Sequence, residues 1–154
     1  LPQENQQHTT WSDFLVIQRF IPQVKLALDQ GTINSNEAKQ IEKIYTEVIN
    51  LWPNEKPALF HGDLWSGNFL KGKDNLPYLI DPAVYYGHRE IDLGMMHLFG
   101  GFDENLFTHY ENYYPLAPGW RSRIGFNQLY PMLVHLNLFG RTYLNQINAI
   151  VKQF

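Results

Sequence analysis

Two short stretches give the strongest indication of what this protein is: His61-Gly-Asp-Leu-Trp-Ser-Gly-Asn68 and, further on, Asp81-Pro-Ala83. Together they supply a carboxylate at Asp63, an amide at Asn68 and a second carboxylate at Asp81. Mg²⁺ prefers oxygen ligands and usually takes only one or two of them from protein carboxylates. The two stretches therefore predict a magnesium site in which Asn68 and Asp81 bind the metal. Asp63 is left to receive or orient the proton of an attacking hydroxyl group.

Length and composition predict a globular protein and exclude several classes. The 154 residues are 44% hydrophobic and 15% aromatic, which is enough for a buried core and too apolar for a disordered chain. The net charge is -3 and the basic residues are not clustered, so we expect no nucleic-acid partner. There is no cysteine, which excludes disulfides and thiolate metal sites, and no apolar run of membrane-spanning length. We therefore expect a cytoplasmic protein with no membrane partner.

The spacing of apolar residues predicts a mainly helical fold with a small β insert. A first helix is expected after Thr10 as its N-cap, with Pro22 kinking or dividing it and Gly31 ending it. A capping-box pattern at Asn34 predicts a second helix that reaches Pro53. Further helices are expected over 90–99, after Asp103, from 126 up to Gly140 and over 143–151, and short strands over 58–61, 68–70 and 78–80.

The motif pair matches a known arrangement. The Asp-x-x-x-x-Asn spacing of Asp63 and Asn68 is that of a protein-kinase catalytic loop, and Asp81 falls where kinases keep a metal-binding aspartate. The second motif continues as Asp81-Pro-Ala-Val-Tyr-Tyr-Gly-His-Arg-Glu-Ile-Asp-Leu-Gly-Met95. Together the two motifs resemble the fructosamine kinase (ketosamine-3-kinase) family, which belongs to the aminoglycoside-phosphotransferase-like branch of the kinase fold. The resemblance covers residues 10–154. The residues that point to this family within the branch are Trp65-Ser-Gly67 and Tyr85-Tyr-Gly-His-Arg-Glu90.

The resemblance implies a fold and an activity. The fold is a protein-kinase-like C-lobe, mainly α (α+β overall), a helical bundle with a small β-hairpin insert that carries the catalytic and metal loops. The activity is ATP-dependent phosphorylation of a sugar hydroxyl of ketosamines on glycated amines or proteins, with ATP as co-substrate and Mg²⁺ as cofactor. By position in the motifs, Asp63 resembles the catalytic aspartate, and Asn68 and Asp81 resemble the magnesium ligands. Asp92 resembles the buried aspartate that braces the catalytic loop in kinase folds.

Other residues near the motifs have more than one interpretation. Trp65 lies between two polar site residues, so it either contacts substrate or simply packs. His61 is expected to be a structural hydrogen-bonding residue rather than the base. His88, Arg89 and Glu90 form either a surface network or a brace for the metal loop.

The parts of a kinase that hold the ATP phosphates have no counterpart in this sequence, which lacks a Gly-x-Gly-x-x-Gly and a Lys within a β-branched strand. We therefore expect residues 1–154 to be a single domain, a C-terminal lobe with the N-lobe absent, and inactive in isolation. Its expected partners are ATP and a small-molecule or protein-linked ketosamine. The apolar surface that would face nucleotide predicts self-association, with a homodimer as one form of it.

Three alternative functions stay open. The chain could belong to another aminoglycoside- or choline-kinase-like small-molecule kinase, or it could be a non-catalytic sugar-binding module. A magnesium-dependent phosphohydrolase could use the same three oxygen donors, but it is disfavoured because the sequence has no further Asp/His cluster for a second metal.

Overall fold

The computed structural model describes residues 1–153 and is mainly helical. Its α-helices are α1 (Trp11–Leu15), α2 (Ile21–Asp29), α3 (Ser35–Glu42), α4 (Ile44–Glu47), α5 (Glu90–Phe99), α6 (Glu104–Tyr113), α7 (Trp120–Phe139) and α8 (Leu144–Val151). Its strands are β1 (Ala58–Phe60), β2 (Phe69–Lys71), β3 (Pro77–Leu79) and β4 (Tyr85–Gly87). A π-helical turn occupies Val16–Phe20, and 3₁₀ turns occupy Ser66–Asn68 and Arg141–Tyr143. Among residues 1–153, no helix is both long and apolar enough to span a bilayer.

The chain forms two compact units. The first is Leu1–Asn54 together with the chain from Leu129 onward, and the second is Glu55–Gln128. The second unit contains the four strands named above and every candidate site residue of the sequence. That the chain is a single domain stays a prediction.

In the first unit, α1 begins where the sequence predicts, since the Thr10 hydroxyl accepts a hydrogen bond from the Asp13 N–H at 3.0 Å. Pro22 divides this helical stretch: α2 starts at Ile21, directly after the π-helical turn. Proline has no N–H to donate to the carbonyl four residues earlier. That carbonyl, of Gln18, instead accepts from the Arg19 guanidinium at 3.1 Å. A buried arginine therefore satisfies the group that the proline leaves open.

The second helix begins where the sequence predicts but ends earlier than predicted. The Asn34 side chain accepts from the backbone N–H groups of Asn36 and Glu37, and the Glu37 carboxylate accepts from the Asn34 N–H, which completes the capping box. The helical residues stop at Glu47 instead of continuing to Pro53. Asn50 adopts a φ of 71°, a left-handed conformation that an α-helix cannot contain.

The second unit contains two small antiparallel sheets, in which β1 pairs with β4 and β2 pairs with β3. The β2–β3 hairpin and β1 are confirmed predictions, each within one residue. Strand β4 was not predicted, because its residues become a strand through their pairing with β1. The hairpin returns the chain to the loop that follows β1, and β4 then lies beside β1. Both motifs therefore lie in the connections between the two sheets, 61–68 between β1 and β2 and 81–83 between β3 and β4.

Helices α5 and α6 and the first turns of α7 supply a compact core in the second unit. Helix α5 spans the predicted residues, and α6 begins at the predicted cap, where the Asp103 carboxylate accepts from the Asn105 N–H at 2.8 Å. Helix α7 begins at Trp120, six residues before the predicted start at Phe126. The buried side chains of this core are Leu93, Met96, Phe107 and Trp120.

Candidate active site

The loop between β1 and β2 brings Asp63 and Asn68 into direct contact. Two backbone hydrogen bonds tighten it, from the Trp65 N–H to the Asp63 carbonyl (3.1 Å) and from the Asn68 N–H to the Trp65 carbonyl (2.9 Å). The buried Asn68 amide nitrogen then donates to both the Asp63 carbonyl (2.9 Å) and the Asp63 carboxylate (3.0 Å). A five-residue spacing in the sequence thus becomes one hydrogen-bonded pair.

The second motif is joined to this loop through its backbone. The Ile80 N–H donates to the Asn68 carbonyl at 3.1 Å, and the Ala83 N–H donates to the His61 carbonyl at 2.8 Å. Asp81 lies between these two attachment points and has a φ of 50°. Left-handed backbone in a non-glycine residue costs free energy and is concentrated at functional sites. The exposed Asp81 carboxylate is therefore fixed at its Cα by neighbours on both sides.

His61 links the two motifs through its ring. Its Nε2 lies 2.9 Å from the Ile80 carbonyl, and its Nδ1 accepts from the Asp63 N–H at 3.3 Å. Because a carbonyl can only accept, these contacts place the proton on Nε2. Both ring nitrogens of this buried side chain are thereby engaged in holding the loop.

Asp92, in the first turn of α5, holds the start of the loop. Its two carboxylate oxygens accept from the backbone N–H groups of His61 (2.7 Å) and Gly62 (2.9 Å). Burial raises the pKa of the Asp92 carboxyl, and the two hydrogen bonds partly offset that rise. Gly62 itself has a φ of 81°, and a Cβ there would lie 2.2 Å from the Ala83 carbonyl oxygen. Only glycine allows the two motifs to approach this closely.

Trp65 projects from the same loop and is 39% exposed. Its indole lies directly against Gly67 and makes an edge contact with Phe99, with ring centroids 6.0 Å apart. Both of its proposed roles, packing and substrate contact, are compatible with this position.

The His88-Arg89-Glu90 run is buried, so the interpretation as a surface network is wrong. Arg89 donates to the Glu55 carboxylate at 2.8 Å, and this bond lowers the pKa of Glu55. Glu90 is fully buried and receives two bonds from Arg123, at 2.6 and 2.8 Å. Burial lowers the pKa of His88, whose Nε2 lies 4.0 Å from the Glu55 carboxylate. Two Arg–Glu pairs thus fix the segment between β4 and α5, next to Asp92.

The side-chain oxygens near the loop suit a hard cation whose remaining ligands are water or substrate oxygens. The Asn68 amide nitrogen is used on Asp63, so the amide oxygen is the atom that can bind a metal. Within residues 1–153, no group of three or more His, Asp or Glu side chains is arranged to hold a metal ion. A site with two protein ligands fits Mg²⁺, which commonly completes its shell with water and substrate phosphates.

Helices around a β hairpin, with an Asp–Asn loop on one side and a second aspartate after the hairpin, define a kinase-like C-lobe. Comparison with known proteins identifies the family: the fructosamine kinase family model matches residues 1–154, and the chain belongs to that family. A Thermobifida fusca crystal structure described as a "putative fructosamine-3-kinase" superposes with a TM-score of 0.92 at 39% identity. That superposition covers 99% of this chain and 53% of the other.

Curated relatives agree with the structural match. A "Probable ketoamine kinase" of Lactiplantibacillus plantarum is 40% identical over 156 residues, which is 100% of this chain and 56% of the relative. The "Protein-ribulosamine 3-kinase, chloroplastic" of Arabidopsis thaliana is 36% identical, over 99% of this chain and 47% of the relative. The chain therefore spans about half the length of the curated relatives it matches.

Sequence reasoning missed some residues around the loop. The Glu55–Arg89 and Glu90–Arg123 pairs join positions far apart in the chain, and single charges in a sequence do not reveal their partners. Phe99, beside Trp65, was assigned only to the apolar helix α5. The Gly100-Gly101 pair that follows it was the available signal, because consecutive glycines after a helix mark a turn with unusual backbone.

Proposed function

We propose that this chain is the catalytic C-lobe of a kinase that transfers the γ-phosphoryl group of ATP to a sugar hydroxyl of a ketosamine. The observation that carries the proposal is the contact between the Asn68 amide and the Asp63 carboxylate at 3.0 Å, in a loop hydrogen-bonded to the segment that holds Asp81. The names of the relatives support the ketosamine as acceptor. The acceptor hydroxyl belongs to a fructosamine- or ribulosamine-type sugar.

Asp63 is the proton acceptor in this proposal. The sugar hydroxyl attacks the γ-phosphorus, its proton passes to the Asp63 carboxylate, and ADP leaves with the electrons of the broken P–O bond. Asn68 orients the carboxylate by donating to one of its oxygens. His61 and Asp92 keep the loop in place through backbone contacts and do not exchange protons with substrate.

Asn68, through its amide oxygen, and Asp81, through its carboxylate, are the residues that would hold Mg²⁺. When bound with ATP, Mg²⁺ would supply positive charge that stabilises the phosphates during transfer. The left-handed backbone at Asp81 fixes its Cα, and the short side chain leaves the carboxylate little freedom of position. Trp65 contacts the acceptor sugar.

In this proposal, the residues that bind the ATP phosphates lie outside residues 1–154. Relatives are about twice as long as this chain, and the proposal assigns the phosphate-binding N-lobe to their remaining half. We therefore propose that residues 1–154 alone give no turnover. A cytoplasmic location stays a prediction.

The test is an ADP-release assay on the full-length protein that carries this sequence, with Asp63→Asn as the variant. Asn keeps the shape of the side chain and removes the proton acceptor, so kcat should fall by about 10²- to 10⁴-fold with little change in the KM for ATP. Asp29→Asn, an exposed carboxylate in an ion pair with Lys25, is the matched control and should leave kcat unchanged. If kcat held and only the KM for ketosamine rose, Asp63 would be a substrate-binding residue instead.

The same assay separates the alternative functions. ADP formation that requires ketosamine supports the kinase. ADP formation that requires another sugar or an amino alcohol supports a different small-molecule kinase. Phosphate release without any acceptor supports a hydrolase, and ketosamine binding without ATP binding supports a sugar-binding module.

A further inference from the structure

An aromatic corner lies beside the catalytic loop. It is formed by Trp65 and Phe99, whose rings meet edge to face at 6.0 Å with an interplanar angle of 70°. The two side chains are 39% and 42% exposed. The rings touch each other directly, and because both stay partly exposed, some π surface of each remains accessible to a ligand beside the corner.

The corner is built by the backbone and is not a chance surface contact. Phe99 is the last residue of α5, and Gly100 and Gly101 follow it with φ values of 65° and 88°. A Cβ on Gly101 would lie 2.6 Å from the Ser66 side chain, so the turn presses against the catalytic loop itself. The turn therefore fixes Phe99 relative to Trp65.

The corner is continuous with the proposed reaction centre. The Trp65 N–H is bonded to the Asp63 carbonyl at 3.1 Å, in the same tight turn that holds the Asp63–Asn68 pair. Trp65 is two residues from Asp63 in this turn, and in the proposal that follows the part of the acceptor beyond its reacting hydroxyl lies beside the corner. Beyond the corner, Phe102 continues the aromatic surface by contacting Phe69, with ring centroids 6.2 Å apart.

We propose that Phe99 is a specificity-determining residue, and that with Trp65 it binds the protonated secondary amine that distinguishes a ketosamine from a neutral ketose. This proposal rests on the proposed function for the identity of the acceptor. A cation over the face of an aromatic ring is attracted by the quadrupole of the ring, and tryptophan gives the strongest such contact. Neutral sugars gain nothing from this term.

The experiment compares Phe99→Leu, which keeps an apolar side chain without a π face, with Phe99→Tyr, which keeps the π face. Both are made in the full-length protein that carries this sequence. The acceptors are a fructosyl-alkylamine and the neutral alkyl ether of the same sugar. The matched control is Tyr113→Leu, because Tyr113 is an aromatic residue 94% exposed on α6, remote in sequence from the loop.

We expect Phe99→Leu to raise the KM for the fructosyl-alkylamine roughly two- to fivefold, the range for a cation–π contact at a partly exposed site. Its kcat and its KM for the neutral ether should stay unchanged, and Phe99→Tyr and Tyr113→Leu should both behave as the parent. An unchanged KM in Phe99→Leu would overturn the proposal. An equal rise for both acceptors would also overturn it, because it would show that Phe99 only supports the Trp65 ring.

Direct binding keeps this inference separate from the proposed function. The same variants are titrated with both acceptors by calorimetry, after melting curves have shown that they are folded. If the parent protein binds the amine more tightly than the ether and gives no turnover, the kinase proposal fails while the inference is still decided by the dissociation constants. A Phe99→Leu variant with the parent preference for the amine would refute the inference whatever the kinetics show.

Discussion

At the scale of single residues, Asp81 combines a costly backbone conformation with an exposed carboxylate. Asn tolerates the same left-handed φ of 50°, so Asp81→Asn removes the charge with little strain. If this carboxylate binds Mg²⁺, turnover of the full-length protein should fall at least about 10²-fold, because metal-assisted charge stabilisation contributes several kcal/mol. Asp74→Asn, on the exposed hairpin turn, is the control. Near-normal turnover of Asp81→Asn at saturating Mg²⁺ would make the metal assignment wrong.

His88 predicts a pH dependence of stability. Burial lowers the pKa of this histidine in the folded protein below the ordinary value of 6.5. The unfolded state therefore binds a proton first as the pH falls, and stability contributed by neutral His88 is present above pH 6.5 and lost as the pH falls through the folded-state pKa. We expect His88→Gln to lose less free energy of unfolding than the parent between pH 7 and pH 5.5 in urea titrations.

The control for this titration is Asn145→Gln, since Asn145 is an exposed residue of α8 whose side chain does not titrate. The pH profile of this variant should run parallel to that of the parent. If the His88→Gln profile also ran parallel to the parent, burial of His88 would not contribute to the acid sensitivity.

Single residues also show what the sequence could predict about the site. Asp63, Asn68 and Asp81 could be selected because their types and spacing are local features of two short motifs. For Asp92 the sequence predicts that a carboxylate in an apolar helix needs hydrogen-bond partners. It does not show that these partners are two backbone N–H groups of the loop. The Glu90–Arg123 pair could not be predicted, because many arginines are chemically equivalent until the chain is folded.

At the scale of elements, the capping box of α3 can be tested by itself. Asn34→Ala removes the side-chain oxygen that accepts from Asn36 and Glu37, and such a loss typically costs about 1 kcal/mol of stability. The free energy of unfolding from urea titration should fall by that amount. Asn36 is the second residue of the same helix, and Asn36→Ala keeps the cap. This control variant should be neutral or slightly stabilising. Equal losses in both variants would contradict a capping role.

The elements that the sequence predicted well are those with a local chemical signal. Caps at Thr10, Asn34 and Asp103 mark helix starts through their own hydrogen bonds. The π-helical turn before Pro22 was not predicted, because the bond from the Ile21 N–H to the Val16 carbonyl, five residues earlier, leaves no local pattern in the sequence. Strand β4 depends on its partner β1, so neither its length nor its composition reveals it.

At the scale of the whole molecule, the fold class could be predicted because the motif pair and the helical periodicity agree with each other. The early part of α7 was missed because its first turns carry several polar residues, among them Arg121 and Arg123, and the buried Arg123 pairs with the distant Glu90. Long-range pairing thus decides which polar residues enter the core. The same limit applies to surfaces, since a sequence does not show which apolar residues remain exposed.

The hairpin of the second unit exposes an apolar surface that can be tested for self-association. Leu70 and Tyr78 are cross-strand partners, each 49% exposed, and form an apolar patch on one face of the hairpin. Exposed apolar patches of this kind tend to bind another surface. We expect residues 1–154 to associate with increasing concentration in sedimentation velocity experiments, and Leu70→Ser with Tyr78→Ser to weaken the association.

The matched control is Ile49→Ser, which removes an apolar side chain 57% exposed in the first unit. It should leave the association unchanged, because a single exposed apolar residue is ordinary on protein surfaces. A profile that stays monomeric across the whole concentration range would make the prediction of self-association wrong. Association that responds to Ile49→Ser and not to the hairpin variant would instead place the contact in the first unit.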